Sequence, residues 1–442
     1  MIEAYDLVIR GGRLLVDGRL VEADVAALDG KIAAIGEVPR RYAEQGIDAK
    51  GLTVLPGCID TQVHFREPGL EHKDDLESGT RAAVLGGITA VFEMPNTKPT
   101  TADAAALEDK LRRARGRTWC DHAFYAGATA DNAEKLGELE RLPGCCGVKI
   151  FMGASTGDLL VPDDATLARV LASGRRRVAV HAEDEFRMRE RRHIAEQGGH
   201  PRFHPEWRDA ESARLATERI LRLARAAKRP VHVLHVTTAD EVPMLRAAKD
   251  IASMEVTPQH LTLEAPDCYE RIGTLAQMNP PIREARHRAG LWQAVADGTA
   301  DIIGSDHAPH TREEKAKPYP QTPSGMPGVQ TLLPVMLDHV AAGRLSLARL
   351  VEMVTANPVR LFGLKHKGRI AQGMDADFTL VDLAAKRTLR HADMATKSGW
   401  TPFDGMTVTG FPVMTVVRGQ VVMREGELIG PPIGRPLEFD LG

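Results

Sequence analysis

The segment Thr53-Val54-Leu55-Pro56-Gly57-Cys58-Ile59-Asp60-Thr61-Gln62-Val63-His64-Phe65-Arg66-Glu67-Pro68-Gly69 joins an apolar run to a set of alternating polar side chains. Side chains alternate faces along an extended strand, so Gln62, His64 and Arg66 share one face. An imidazole able to bind metal and a guanidinium able to bind a carboxylate thus stand together at one strand end. With Thr53–Asp60 as the first, further candidate strands follow at Ile88–Glu93, His122–Gly127, Val148–Met152, Val178–His181, Val231–His235, Ser253–Val256 and Asp301–Gly304. Helical patterns such as Asp209–Ala227 and Glu284–Ala296 lie between them. Eight β-then-α units predict an α/β chain with a (β/α)8 TIM-like barrel rather than an open doubly wound sheet. No G-x-G-x-x-G follows the first strand, which counts against dinucleotide binding.

The ends of the chain have a different texture. Leu7–Arg10, Val21–Ala26 and Lys31–Ile35 read as short strands, with a turn at Gly11-Gly12. Ala376–Val381, Val413–Val417 and Gln420–Met423 read the same way, so the two ends are expected to pair into one small β-sandwich beside the barrel. The expected organisation is residues 1–55 as the first part of the sandwich, 56–365 as the barrel and 366–442 as the second part of the sandwich.

At 442 residues, 43% hydrophobic and 26% charged, the composition is that of an ordinary globular protein. A net charge of −3 with interspersed signs gives no basic surface for nucleic acid. No apolar run is long enough to span a bilayer and Met1–Asp6 lacks the features of a secretory leader, so a cytoplasmic location is expected. Cysteines 58, 120, 145, 146 and 268 form no C-x-x-C pair and read as buried free thiols.

Barrel enzymes place their chemistry at the C-terminal ends of the strands. Those ends carry His64, Lys149, His181, His235 and Asp306, an ordered set that points to a metal site. This set, with Asp60–Gly69, Met94–Thr97, Gly147–Phe151, Val180–Asp184, Leu234–Thr237, Glu255–His260, Met278–Pro281, Gly304–His310 and Gly373–Phe378, resembles the cyclic amidohydrolases of the amidohydrolase superfamily, the dihydroorotases most closely.

The resemblance implies hydrolysis of a cyclic amide at a centre of one or two zinc ions held by His64, Lys149, His181, His235 and Asp306. It implies that Lys149 is carbamylated, because an ammonium has no lone pair for a metal and a carbamate has anionic oxygens. An aspartate bridge occurs in some relatives. Asp158 lies nearby, but the Val-Lys-Ile-Phe-Met context favours Lys149. Asp306 is expected to act as general base toward the attacking water and then as general acid toward the leaving nitrogen. Arg66 would bind a ring carboxylate, as in dihydroorotate, and Asn96, Asn279 and His310 would contact the substrate. Ser324 and Gly325 match the end of the family's substrate loop. The polar, turn-rich stretch Thr311–Gly328 is expected to cover the site. The alternatives are a hydantoinase-, dihydropyrimidinase- or allantoinase-like enzyme, and a non-catalytic subunit supporting an aspartate transcarbamoylase. The expected partners are a small-molecule substrate, further copies of the chain in a homo-oligomer, and that transcarbamoylase.

Two positions depart from the pattern. Gln62 stands where the first motif histidine is expected, and Gln259 replaces the first of a His-His pair. An amide oxygen is a poor zinc donor beside imidazole, so Gln62 is a doubtful ligand and the centre is expected to hold either one zinc or two with Gln62 as a weak or absent ligand.

Overall fold

The computed structural model describes residues 4–39, 43–155 and 159–441. From its N-terminal end the chain builds β1 (Tyr5–Val16), β2 (Arg19–Leu28), β3 (Lys31–Gly36), β4 (Ala43–Asp48) and β5 (Thr53–Pro56). The barrel strands follow as β6 (Cys58–Val63), β7 (Ile88–Glu93), β8 (Asp121–Gly127), β9 (Cys145–Phe151), β10 (Val178–His181), β11 (Val231–Val233), β12 (Ala252–Val256) and β13 (Ile302–Ile303). Each pairs in parallel with the next. The ring closes where Val63 bridges His307 and the His64 N–H donates to the His307 carbonyl at 2.6 Å. Every residue of these eight strands is buried. A parallel sheet covered on both faces calls for continuous apolar runs, which is what the sequence presents.

The helices between strands have a physical start and a buried face. Asp209 caps the helix Ala210–Ala227 by accepting from the Ser212 N–H at 3.0 Å, and Ala213, Ala216, Ile220 and Ala224 are buried at helical spacing. The helix expected from Glu284 runs over Ala285–Asp297 with Glu284 at its cap position.

The chain ends form one nine-stranded sheet, in which β14 (Phe378–Thr388), β15 (Thr407–Val417), β16 (Gln420–Arg424) and β17 (Glu427–Leu428) continue from β5. One apolar core with Leu7, Ile9, Val25 and Val54 from one end and Phe378, Leu380 and Val416 from the other holds it together. The expected sandwich is therefore a single sheet shared by both ends.

Three local readings are corrected. Gly11-Gly12 is not a turn: both lie inside β1, where the register shifts between Ile9 and Gly12 and Gly11 has φ 65°, so the pair makes a bulge. The strand expected over Thr53–Asp60 is two strands, because the chain leaves the sheet at Pro56 and enters the barrel at Cys58. Gly57 at the crossing has no room for a side chain, since a Cβ would lie 2.4 Å from Thr89 Oγ1. The run Val231–His235 stays in the ladder only to Val233, which leaves His235 free of the pleat.

Two features join sheet and barrel. Beyond β17 the chain passes beneath the barrel, where the His122 N–H donates to the Arg435 carbonyl at 3.0 Å and the Leu437 N–H to the His122 carbonyl at 2.8 Å. Leu437 and Phe439 are buried there against Phe92, Tyr125 and Phe362, closing the floor opposite the strand C-termini. Beside the floor, the Lys367 ammonium lies 2.6 Å from Asp121, 2.6 Å from Asp377 and 2.9 Å from Asp375, and Arg418 also pairs with Asp121. These three aspartates could by spacing hold a cation, and Lys367 already supplies one.

Candidate active site

The side chains at the strand ends converge on one cavity, lined by Gln62, His64, Arg66, Asn96, Lys149, Phe151, Ser155, His181, His235, Asn279, Asp306, Ala308, Ser324 and Gly325. All the expected site residues except His310 line it. A larger open groove on the sheet, lined by Arg10, Asp24 and Lys50, gathers no comparable set of groups. Asp158 lies outside the described residues.

Three residues of this cavity have a strained backbone. Arg66, His235 and Asp306 have φ of 66°, 36° and 46°, a left-handed region costly for side chains of this kind. Each follows a barrel strand, and the turn aims the side chain inward. The Arg66 turn is fixed by its sequel. The Gly69 Cα approaches Lys98 so closely that a Cβ would lie 2.2 Å from the Lys98 carbonyl oxygen. The Lys98 N–H in turn donates to the Pro68 carbonyl at 2.8 Å.

The imidazoles of His181 and His235 meet, His181 Nδ1 lying 3.1 Å from His235 Nε2. The other nitrogen of His181 lies 2.8 Å from Glu183 Oε2, and Glu183 pairs with the Arg208 guanidinium. Burial pushes both histidines below the usual range, so both are neutral and carry a lone pair. Burial alone would raise Glu183, but Arg208 and His181 hold it well below the carboxylate range. A carboxylate that orients a ligand imidazole from behind is a familiar part of metal sites. Glu183 was missed as a functional residue, although it stands two positions after His181 in a segment already singled out.

Lys149 Nζ is buried, has no hydrogen-bond partner among the described residues and lies 4.5 Å from the centre of the Phe151 ring. Burial lowers its pKa to about 7, against the opposing pull of Asp306 and Glu255. A neutral amine in that position has the lone pair that carbamylation requires. Beneath it lie two further carboxyls that sequence reasoning did not assign. Burial raises Glu255 to about 8 and Asp60 to about 7. Glu255 accepts from Thr61 Oγ1 at 3.0 Å, and Asp60 accepts from the Ser305 and Gln62 N–H groups at 3.0 and 3.1 Å.

Gln62 does not replace a histidine like for like. Its Nε2 donates to Asp306 Oδ1 at 3.0 Å, and its Oε1 is buried with no partner among the described residues. The same Asp306 oxygen lies 3.2 Å from His64 Nε2, whose ring also contacts Asn96 Oδ1 through Nδ1 at 2.7 Å. Burial lowers His64 to about 4, so its ring holds a single N–H for two acceptors. Gln259 plays a structural part, donating to the Ser305 carbonyl at 2.8 Å behind the end of β13.

His310 stands one layer back, 3.3 Å from Arg66 Nη2 and 3.0 Å from the Ser324 carbonyl. Arg66 is 1% exposed, donates to the Pro309 carbonyl at 3.0 Å, and has no partner for Nη1 among the described residues. Asn279 is held by His204 Nε2 at 2.8 Å. The stretch Thr311–Gly328 is packed in part: Gly325, Met326, Pro327 and Gly328 are buried, while Arg312, Glu313, Ala316, Lys317, Pro318 and Gln321 are exposed. It begins with a short helix, Arg312–Lys315, whose Lys315 is buried and donates to the Gln277 and Pro323 carbonyls at 3.0 and 2.9 Å.

Neutral imidazoles, an unpartnered amine and a carboxylate facing one cavity form a donor set that fits a divalent metal. The five free cysteines are all buried and lie outside that set.

Residues 53–422 match the family model described as Amidohydrolase family. The chain is 36% identical over 429 residues to a dihydroorotase of Methanothermobacter thermautotrophicus, covering 96% of each. It is 38% identical over 434 residues to one of Pyrococcus furiosus, covering 97% of this chain and 95% of the relative. The solved L-hydantoinase (dihydropyrimidinase) of Arthrobacter aurescens superposes with a TM-score of 0.92 at 32% identity, over 98% of this chain and 99% of that one.

Proposed function

This chain belongs to the amidohydrolase family, and we propose that it acts as a dihydroorotase, hydrolysing the ring amide of dihydroorotate to N-carbamoyl-aspartate and running the reverse condensation. The observation that carries this reading is Arg66. A buried guanidinium with an unpartnered Nη1 in the cavity wall calls for an anion, and the ring carboxylate of dihydroorotate is one that a planar fork can bind. The similarity to dihydroorotases over nearly the whole chain supports the same assignment.

On this reading His64, Lys149, His181, His235 and Asp306 hold one or two zinc ions. Lys149 takes part as a carbamate: its amine adds to the carbon of carbon dioxide and loses a proton, leaving two oxygens that share one negative charge beyond the retained nitrogen. The metal, when bound, supplies Lewis acidity toward the amide carbonyl and toward water. Asp306 takes the proton of the attacking water and hands it to the ring nitrogen as the C–N bond breaks. Gln62 holds Asp306 through one oxygen, which leaves the other for that transfer. Glu183 keeps His181 in the tautomer whose free nitrogen faces His235. Arg66 and His310 bind the carboxylate, while Asn96, Asn279 and the Ser324-Gly325 edge contact the ring.

Comparing dihydroorotate with rings that lack a carboxylate tests the reading. Arg66→Ala is expected to lower kcat/KM for dihydroorotate by about 10³-fold, the scale of a lost charge-assisted pair in a buried site. A wild-type protein that opens hydantoin or dihydrouracil and leaves dihydroorotate untouched would favour the hydantoinase-like alternative and sink this one.

Metal count is addressed through Gln62. Gln62→His should raise bound zinc by about one ion per chain, measured by mass spectrometry of protein loaded under identical conditions, because an imidazole donates to zinc far better than an amide. Equal stoichiometry in both proteins would show that position 62 does not limit occupancy.

A further inference from the structure

The Arg66 side of the cavity holds more positive charge than a single guanidinium. Lys73 Nζ lies 3.0 Å from His310 Nδ1 and 3.1 Å from Glu314 Oε1, and Lys73 is nearly buried. Lys315 donates only to carbonyls, and neither it nor Arg66 has a carboxylate within ion-pair reach among the described residues. A buried guanidinium left without a counter-ion is costly, so an anion bound here would relieve it.

The contact between Lys73 and His310 also fixes a proton. An ammonium donates and cannot accept, so Nδ1 of His310 is the accepting nitrogen. Burial, Arg66, Lys73 and Lys315 all keep this ring neutral, leaving it a single N–H. That hydrogen sits on Nε2, where it donates to the Ser324 carbonyl at 3.0 Å, beside Arg66 Nη2 at 3.3 Å. Without Lys73 only the Ser324 carbonyl would hold that hydrogen on Nε2, against the Arg66 Nη2 donor that favours a lone pair there.

We propose that Lys73 is a specificity-determining positioning residue for the anionic substituent of the substrate: it commits His310 to the tautomer that donates from Nε2 alongside Arg66, and it adds a fixed positive charge behind that pair. The proposal rests on the carboxylate reading given above. It predicts discrimination by charge, with no part for Lys73 in bond breaking.

Steady-state kinetics on the metal-loaded protein tests it, with dihydroorotate as substrate and with orotate and uracil as planar inhibitors that differ in the carboxylate. Lys73→Met is expected to raise KM for dihydroorotate and the inhibition constant of orotate by about tenfold, with kcat within about twofold and uracil unaffected. Lys73→Arg should restore both constants. Lys73→Gln, whose amide still donates to Nδ1 without the charge, should fall between wild type and Lys73→Met. Equal weakening of orotate and uracil, or no change in either, would overturn the proposal. If Lys73→Met does not fold, Lys73→Gln carries the test alone, and an unchanged ratio of orotate to uracil binding overturns it. Absence of dihydroorotate turnover in the wild type would instead overturn the functional reading, and the control reveals that separately.

Discussion

Asp306→Asn is expected to leave a folded protein whose kcat for dihydroorotate is lower by about 10³-fold or more, the scale of losing a positioned acid–base group. The substitution is nearly isosteric and an amide oxygen can still accept from Gln62 Nε2, now at 3.0 Å. Asparagine is also among the side chains most tolerant of the left-handed backbone that Asp306 adopts at φ 46°. What is lost is the capacity to hold a proton between the attacking water and the departing nitrogen. The check is turnover in both directions, beside circular dichroism and metal content. Activity within tenfold of wild type, with metal retained, would exclude Asp306 as the proton carrier. A second outcome separates its two roles: if added zinc restores occupancy and not turnover, the loss lies in proton transfer.

Lys367→Met is expected to destabilise the fold by about 3–5 kcal/mol, the range found when one partner of a buried ion pair is removed. Lys367 lies within 3 Å of Asp121, Asp375 and Asp377, and Arg418 is left to face them alone. Burial by itself raises Asp121, but Lys367 and Arg418 hold it below the usual range. With Lys367 gone, burial and mutual repulsion raise the folded-state carboxylates above their unfolded values. A raised group favours the fold at low pH and opposes it as pH rises. The deficit of the variant should therefore grow from acid toward neutral pH. Urea titrations of both proteins across that range measure it. A deficit independent of pH would mean that lost packing, not uncompensated charge, sets the cost. Asp377→Asn placed on the Lys367→Met background should recover part of the loss.

The barrel was legible because burial on both faces leaves a plain trace. Ile88–Glu93 and Val178–His181 read as strands with the bounds the structure has, since a doubly covered strand is mostly apolar until a polar residue closes it, here Glu93 and His181. The site residues were legible for a related reason: polar groups that close such a run must face a shared mouth. The sheet was harder to read. Gly11-Gly12 looks like a turn by composition, and only the pairing of β1 with β2 on both sides shows the chain running straight on. Pro56-Gly57 reads as a pause inside a strand, whereas it is the point where the chain changes sheets. Glu255 and Lys73 escaped because their parts depend on partners distant in the sequence, as Lys73 does on His310. Glu183 faces His181 only two positions before it, and that spacing was there to be read.

The shared sheet also sets an order of assembly. Lys31 and Asp375 meet across 344 residues, and β5 finds β14 only after the chain has traversed the barrel. Closing a loop of that length in an unfolded chain is entropically unfavourable, and contacts so remote in sequence form slowly. A folded barrel shortens the search by bringing the two ends to one side before they pair. The N-terminal strands must then wait with the β5 edge unpaired, so that edge is where a crowded refolding mixture would first associate wrongly.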